Sequence, residues 1–162
     1  EYAQARRVGQ LLAEEGFTIC TGGYLGVMEA ASRGAHERGG RVLGIVMNQF
    51  KSEPNRYLTE KVASAHFYER LQNLIERSVG FIALRGGAGT VTEMSLVWNK
   101  LQTKVIEPRH MVAIQLNTFT PVGTAISIVA YMKNSCPVTG MPVVNMWCAQ
   151  TMNDMKPRKM SE

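Results

Sequence analysis

The chain has 162 residues, of which 45% are hydrophobic and 19% charged, a composition that excludes an intrinsically disordered chain and predicts one globular domain over 1–162. The formal net charge of +5 permits an anionic ligand without requiring nucleic acid, and we expect no nucleic-acid partner. No apolar run approaches the roughly 20 residues of a membrane span, and three cysteines without a CxxC pair argue against a disulfide framework, so we expect no membrane partner and a cytoplasmic location.

The predicted elements alternate between helix and strand from the first residues onward. Apolar residues at helical spacing predict a helix over 2–15, and Gly16 ends it before a short apolar strand. A tight turn at Thr21-Gly22-Gly23 then leads into the second helix. The first half of the chain is completed by a strand over 17–20, a helix over 25–38, a strand over 41–47, a polar loop over 48–61 and a short strand over 62–66.

The second half repeats this alternation around a second glycine-rich turn at 85–89. Strands that alternate with helices predict βαβ units. The chain is therefore expected to form a Rossmann-like α/β domain, with a parallel sheet sandwiched by helices in three layers. The predicted elements are a helix over 67–78, a strand over 79–84, a helix over 90–101, a strand over 111–116, a helix over 121–133 and a strand over 143–147.

The acidic residues and histidines limit the kinds of catalytic and metal site that the chain can form. Twelve of the 13 acidic residues are Glu and the single Asp is Asp154, which excludes aspartyl-phosphate receivers and Asp-rich calcium or magnesium sites. The three histidines, His36, His66 and His110, lack metal-ligand spacing. We predict no metal and no cofactor.

Both glycine turns lie where a strand passes into a helix. In a parallel sheet such turns line the carboxyl edge, where ligands bind. Glycine lets the backbone approach a ligand closely, and the free N–H groups of a helix start attract phosphate. Each turn alone is equally well explained as structural, whereas two in one small domain favour an anion site. The residues concerned are Gly22, Gly23, Gly26, Gly86, Gly87, Gly89 and Thr90.

Two charged side chains near these turns each allow two interpretations. Thr90 and Glu93 have the spacing of a helix capping box, which spacing alone favours over a catalytic carboxylate in the crevice. Arg70 is either a solvated helix arginine paired with Glu69 or Glu76, or a guanidinium that grips phosphate or ribose oxygens.

The stretch 85–93, RGGAGTVTE, resembles the PGGxGTxxE motif of the LOG (Lonely Guy) family of cytokinin riboside 5′-monophosphate phosphoribohydrolases. Three further segments resemble the family in order and spacing. They are TGGYLGVM at 21–28 for its GGGxxGLM turn, GGRVLGI at 39–45 for its following strand, and FYER at 67–70 for its MHER stretch. The resemblance covers roughly 2–107. By it, the chain begins at the helix that follows the family's first strand, and 109–162 is divergent.

The resemblance implies an enzyme that cleaves the N-glycosidic bond of an AMP-like nucleotide and releases a free base and ribose 5-phosphate. It places the family's catalytic pair on Arg70 and Glu93, and phosphate binding on Gly86, Gly87, Gly89 and Thr90. The turn with Gly22, Gly23 and Gly26 is expected to lie alongside the nucleotide, and the protein to be a homodimer. A genuine lysine decarboxylase, the activity once attached to such proteins, is not expected, since no lysine lies near the glycine turns.

Departures from the family motifs leave a second function open. Arg85 replaces the family proline, and Phe67, Tyr68 and Leu71 replace the Met, His and Lys of MHERK. The molybdenum-cofactor carriers resemble this family and bind an anionic pterin phosphate without turnover. A non-catalytic nucleotide or molybdenum-cofactor carrier of the same fold is therefore the alternative. A protein whose turns are only structural is the third interpretation.

Overall fold

A computed structural model describes residues 1–114 and 143–147. Its elements agree with the predicted ones to within a few residues at each end, whereas the predicted helix over 121–133 lies outside the described residues. The helices are α1 (Tyr2–Glu14), α2 (Val27–His36), α3 (Phe67–Glu76) and α4 (Ala88–Gln102). The strands are β1 (Thr18–Thr21), β2 (Val42–Met47), β3 (Glu60–Ser64), β4 (Gly80–Ala83), β5 (His110–Ala113) and β6 (Val143–Trp147).

The strands form one parallel sheet in the order β3-β2-β1-β6-β4-β5. Every residue of β1, β2 and β4 is buried, as expected for a parallel sheet covered on both faces. β6 lies between β1 and β4, so that Ile19 of β1 and Gly80 of β4 both pair with Val144. The sequence order alone does not reveal this insertion.

Neighbouring residues of the strands point to opposite faces, and each face has its own helices. Ile19 and Ile82 pack into a cluster with the buried residues of α1 and α2. Cys20 packs instead with Leu74 of α3. Phe81 and Ala83 of β4 belong to a cluster with residues of α3 and α4. The predicted parallel sheet between two helical layers is thereby confirmed.

The carboxyl ends of β1 and β4 lie at the same edge of the sheet, one on each side of β6. The chain runs outward from β1 through β2 to β3 on one side and from β4 to β5 on the other. Such a reversal of strand order leaves a crevice at the carboxyl edge, where ligands of open α/β sheets bind. Both glycine turns lie at this edge, since they follow β1 and β4 directly.

Within the described ranges, no helix is long and apolar enough to cross a lipid bilayer.

Candidate active site

Arg70 is buried, not solvated. It lies in the first turns of α3, and its side chain is only 9% exposed. Nε of Arg70 donates a hydrogen bond of 3.0 Å to the carbonyl oxygen of Ile45 in β2. The surface interpretation is wrong because the side chain is buried and its nearest carboxylate is neither Glu69, which accepts from the N–H of Ala65, nor Glu76, which accepts from Gln72. The guanidinium is thus held inside the crevice.

Glu93 of α4 lies opposite, with Oε1 3.6 Å from Nη1 of Arg70. The capping-box interpretation of Thr90 and Glu93 is wrong, because α4 begins at Ala88 and no side chain caps it. Glu93 therefore lies inside the helix on its buried side, where it faces Arg70. Arg70 and Glu93, which are 23 positions apart in the sequence, thus form an ion pair in the crevice.

Burial has the largest effect on the pKa of Glu93. Loss of hydration disfavours the carboxylate and raises the pKa of Glu93 to about 7, although the positive charge of Arg70 opposes the shift. A carboxyl group with a pKa near neutrality can both accept and give up a proton at physiological pH. Near neutral pH the carboxyl group of Glu93 is therefore present in both its protonated and its ionised form.

The second glycine turn presents a helix start to the crevice. Gly87 precedes the first helical residue of α4, and Gly86 and Gly89 are exposed. A Cβ added at Gly89 would meet no atom within 4 Å, so the space beside this backbone is open. Within the described ranges, Thr90 carries the one buried side-chain oxygen with no hydrogen-bond partner. The hydroxyl and the free N–H groups of this turn are suited to an anion.

The first glycine turn divides into residues with different roles. Gly23 and Gly26 have φ of +81° and +73°, the left-handed region that favours glycine. Gly23 also packs against Leu58, whereas Gly26 precedes α2 and is exposed. Gly22 lies directly beside the guanidinium of Arg70. The structure thus brings Gly22, Arg70 and Glu93 together.

Asn55, a buried polar residue in the loop after β2, was not identified from the sequence as part of the site. The N–H of Asn55 donates to the carbonyl oxygen of Gly23 at 2.8 Å, and its side-chain amide donates to that of Tyr24 at 3.0 Å. The hydroxyl of Tyr24 in turn accepts from the N–H of Met47. These bonds tie the loop to the glycine turn. The adjacent Pro54 is a local signal of a turn, but no pattern in the sequence indicates that Asn55 is buried.

Metal-ligating side chains do not cluster in the part of the chain that the structure describes: no group of three or more His, Cys, Asp or Glu could hold an ion there. Cys20 is fully buried in β1, and burial raises the pKa of its thiol to about 12. The thiol is therefore neutral at physiological pH and is no ligand or nucleophile in that form.

Comparison with known proteins identifies relatives of the chain. The sequence model of the SLOG cluster4 family matches residues 1–136, which extends beyond the motifs noted above. A cytokinin riboside 5′-monophosphate phosphoribohydrolase of Mycobacterium marinum is 32% identical over 99 residues, 59% of this chain and 53% of that protein. A pyrimidine/purine nucleotide 5′-monophosphate nucleosidase of Escherichia coli strain K12 is 31% identical over 103 residues, 58% of this chain and 23% of that protein. The chain thus matches about half of the first protein's length and about a quarter of the second's.

A solved structure shares the fold. The molybdenum cofactor carrier protein of Chlamydomonas reinhardtii superposes with a TM-score of 0.64, covering 83% of this chain and 88% of that one. The two sequences are 23% identical, so the likeness is one of fold.

Proposed function

Because the chain belongs to the SLOG cluster4 family, whose model matches residues 1–136, we propose that it is a nucleoside 5′-monophosphate phosphoribohydrolase. The substrate is an AMP-like nucleotide, and the products are the free base and ribose 5-phosphate. The observation that carries the proposal is the buried pair of Arg70 and Glu93, 3.6 Å apart at the carboxyl edge of the sheet. Relatives named as phosphoribohydrolase and nucleosidase support it.

The proposed reaction needs a group that stabilises positive charge at the sugar. Cleavage of the bond between C1′ and the base nitrogen develops an oxocarbenium-like ribose, as in glycoside hydrolysis. In this proposal the carboxylate of Glu93 stabilises that charge and takes a proton from the attacking water. The water oxygen bonds to C1′, and the electrons of the broken bond leave with the base. The proton that Glu93 took from the water then passes to that base, which restores the carboxylate of Glu93.

Arg70 has two proposed effects. Its positive charge favours the carboxylate form of Glu93, which the reaction requires, against the effect of burial. Its guanidinium also faces the crevice, where it can hold a ribose or phosphate oxygen through an N–H group.

Phosphate binding is proposed for the turn before α4. Gly86, Gly87 and Gly89 would contribute backbone N–H groups, and Thr90 its unpaired hydroxyl. Holding the 5′-phosphate at this helix start would fix the ribose relative to Glu93, and such positioning lowers the barrier to reaction. Gly23 and Gly26 would shape the wall beside the nucleotide.

A non-catalytic carrier of the same fold is the second candidate. Its support is an exposed aromatic pair at the start of α3, where the rings of Phe67 and Tyr68 lie 6.2 Å apart. Such rings can stack on a purine or a pterin alike. The near-neutral pKa of Glu93 favours the hydrolase, because a carrier has no use for a proton acceptor in the crevice.

The test is AMP hydrolysis by the purified protein, with adenine release followed by chromatography. The matched variant is Glu93→Gln, which keeps the size of the side chain and removes its charge. We expect adenine release by the parent and a loss on the order of 1000-fold in the variant, consistent with the removal of an acid–base group. Melting temperatures of the two proteins are the control for folding. No release from the parent, with AMP still raising its melting temperature, would favour the carrier.

A further inference from the structure

We propose that Gly22 is a positioning residue: its missing side chain makes the space in which the guanidinium of Arg70 reaches Glu93. This inference rests on the proposed function for its catalytic meaning. The geometry behind it is the set of contacts that the turn after β1 makes with β2, α2 and α3, together with the pair formed by α3 and α4.

The guanidinium of Arg70 has to cross from α3 to the carboxyl edge of the sheet. Thr21 pairs with Gly44 in the register of β1 and β2, so the next residue, Gly22, lies level with Ile45. The carbonyl oxygen of Ile45 accepts the hydrogen bond from Nε of Arg70. Nη1 extends beyond that bond to Oε1 of Glu93. The backbone of Gly22 thus lies alongside the path of the arginine.

A side chain at residue 22 would occupy the place of the arginine. A Cβ built on Gly22 overlaps Nη2 of Arg70 and lies 3.4 Å from Cζ and 2.9 Å from Sδ of Met28. Approaches under about 3 Å between such atoms force one of them to move. The end of an arginine side chain is flexible, so Arg70 is expected to move rather than the strand.

Backbone conformation does not explain this glycine. Gly23 and Gly26 have positive φ, but Gly22 does not. An alanine at residue 22 therefore meets no backbone strain, and its effect comes from the contacts of the new methyl group with Arg70 and, less closely, with Met28. This separates Gly22 from the other two glycines of the same turn, whose conformation already requires glycine.

The decisive variant is Gly22→Ala, and its first readout needs no substrate. The Nε–Hε group of Arg70 is buried and hydrogen-bonded in the parent, so its NMR signal should be protected from exchange with water. Arg70→Gln identifies the signal. We expect Gly22→Ala to abolish the protection, because the displaced guanidinium loses its bond to Ile45. Unchanged protection would overturn the proposal.

The second readout is the pKa of Glu93, measured by NMR titration with Glu93→Gln for assignment. Withdrawal of the Arg70 charge should raise the pKa of Glu93 further, since that charge now lowers it. Cys20 also senses the charge of Glu93, but its pKa of about 12 keeps it neutral throughout the titration. A pKa of Glu93 that is the same in Gly22→Ala as in the parent would contradict the proposal.

The matched control is Gly40→Ala. Gly40 also lacks a positive φ, and a Cβ there would lie 2.5 Å from Cβ of Ala13, outside the crevice. We expect this variant to melt at a lower temperature while Arg70 and Glu93 keep their signals. Gly22→Ala should instead melt at the temperature of the parent while the signals of Arg70 and Glu93 change. Its kcat/KM for AMP should fall on the order of 100-fold, the effect of displacing a catalytic group by about 1 Å.

Two further results separate this proposal from others. If Gly22→Ala fails to fold, the double variant with Arg70→Gln decides. Recovery of folding assigns the overlap to Arg70, and continued failure overturns the proposal. If the parent does not hydrolyse AMP but both NMR readouts change as expected, the proposed function fails and the positioning role of Gly22 stands.

Discussion

Glu93 is mostly buried 3.6 Å from Nη1 of Arg70, and two opposing effects act on its carboxyl group. Burial raises its pKa from 4.5 to about 7, and the charge of Arg70 reduces the rise. The folded protein therefore holds the proton more tightly than the unfolded chain does. By linkage, the contribution of this group to stability is full below pH about 4.5 and is lost as the pH rises to about 7.

A first prediction follows for the pH dependence of stability. Between pH 4.5 and 7 the parent should lose about 3 kcal/mol of unfolding free energy that Glu93→Gln does not lose, from the shift in the pKa of Glu93. Denaturant titrations of both proteins at several pH values measure this difference. Parallel pH profiles would show that Glu93 titrates as an ordinary exposed carboxyl.

Thr90 permits a prediction that separates stability from binding. Its hydroxyl oxygen is buried without a partner, so Thr90→Val should leave the fold as stable or about 1 kcal/mol more stable. Calorimetry should show AMP binding weakened roughly 10-fold, the value of one lost hydrogen bond. Thr90→Ser keeps the hydroxyl and should retain affinity. Equal weakening in both variants would point to packing rather than to a phosphate contact.

At the scale of elements, helices α1 and α2 pack closely enough to need glycine on both sides. A Cβ added at Gly9 of α1 would overlap the carbonyl oxygen of Ala31, and one at Gly34 of α2 would overlap that of Arg6. Backbone atoms cannot move aside as a side-chain end can. These helices cover the face of the sheet that contains Ile19, so their close packing supports β1 and the turn after it.

Gly34→Ala should destabilise the protein by about 1–3 kcal/mol, because the added methyl group overpacks this contact. The midpoint of urea unfolding measures the loss. Gly89→Ala in α4 is the control, since its methyl group enters open space and alanine favours helix by about 1 kcal/mol. A Gly34→Ala midpoint equal to that of the parent would mean that the two helices can separate without cost.

At the scale of the whole molecule, α4 exposes apolar side chains that the rest of the described chain, 1–114 and 143–147, does not cover. Val91 and Trp98, seven residues apart on one side of the helix, are 61% and 65% exposed, and Val105 just beyond its end is 68% exposed. Large exposed apolar surfaces are typical of contacts between proteins. The predicted homodimer stays a prediction, and this face is our candidate for its contact.

Light scattering after size-exclusion chromatography tests that contact. The parent should elute with the mass of a dimer, and Trp98→Glu with that of a monomer, because a buried unpaired carboxylate opposes association. Tyr68→Glu on α3, where the residue is 82% exposed, is the matched control and should remain dimeric. A parent of monomer mass would contradict the prediction.

Local patterns were sufficient for much of this protein. The helices and strands over the described residues follow from the spacing of apolar residues and from the glycines between them, since both act over a few neighbouring residues. The motif of residues 85–93 led to the LOG resemblance, which the family match and the named relatives confirm. The roles of Arg70, Glu93 and the glycines in catalysis and binding stay predictions.

The elements, their α/β alternation, the two glycine turns and the family follow from the sequence, because each depends on residue types at short fixed spacings. The fold was needed to show that β6 lies between β1 and β4, and that Arg70 is buried against Ile45 and Glu93. It was also needed to show that Thr90 and Glu93 form no cap and that Gly22 borders the guanidinium. These contacts join residues far apart in the chain, and they depend on how whole elements pack, which no local spacing records.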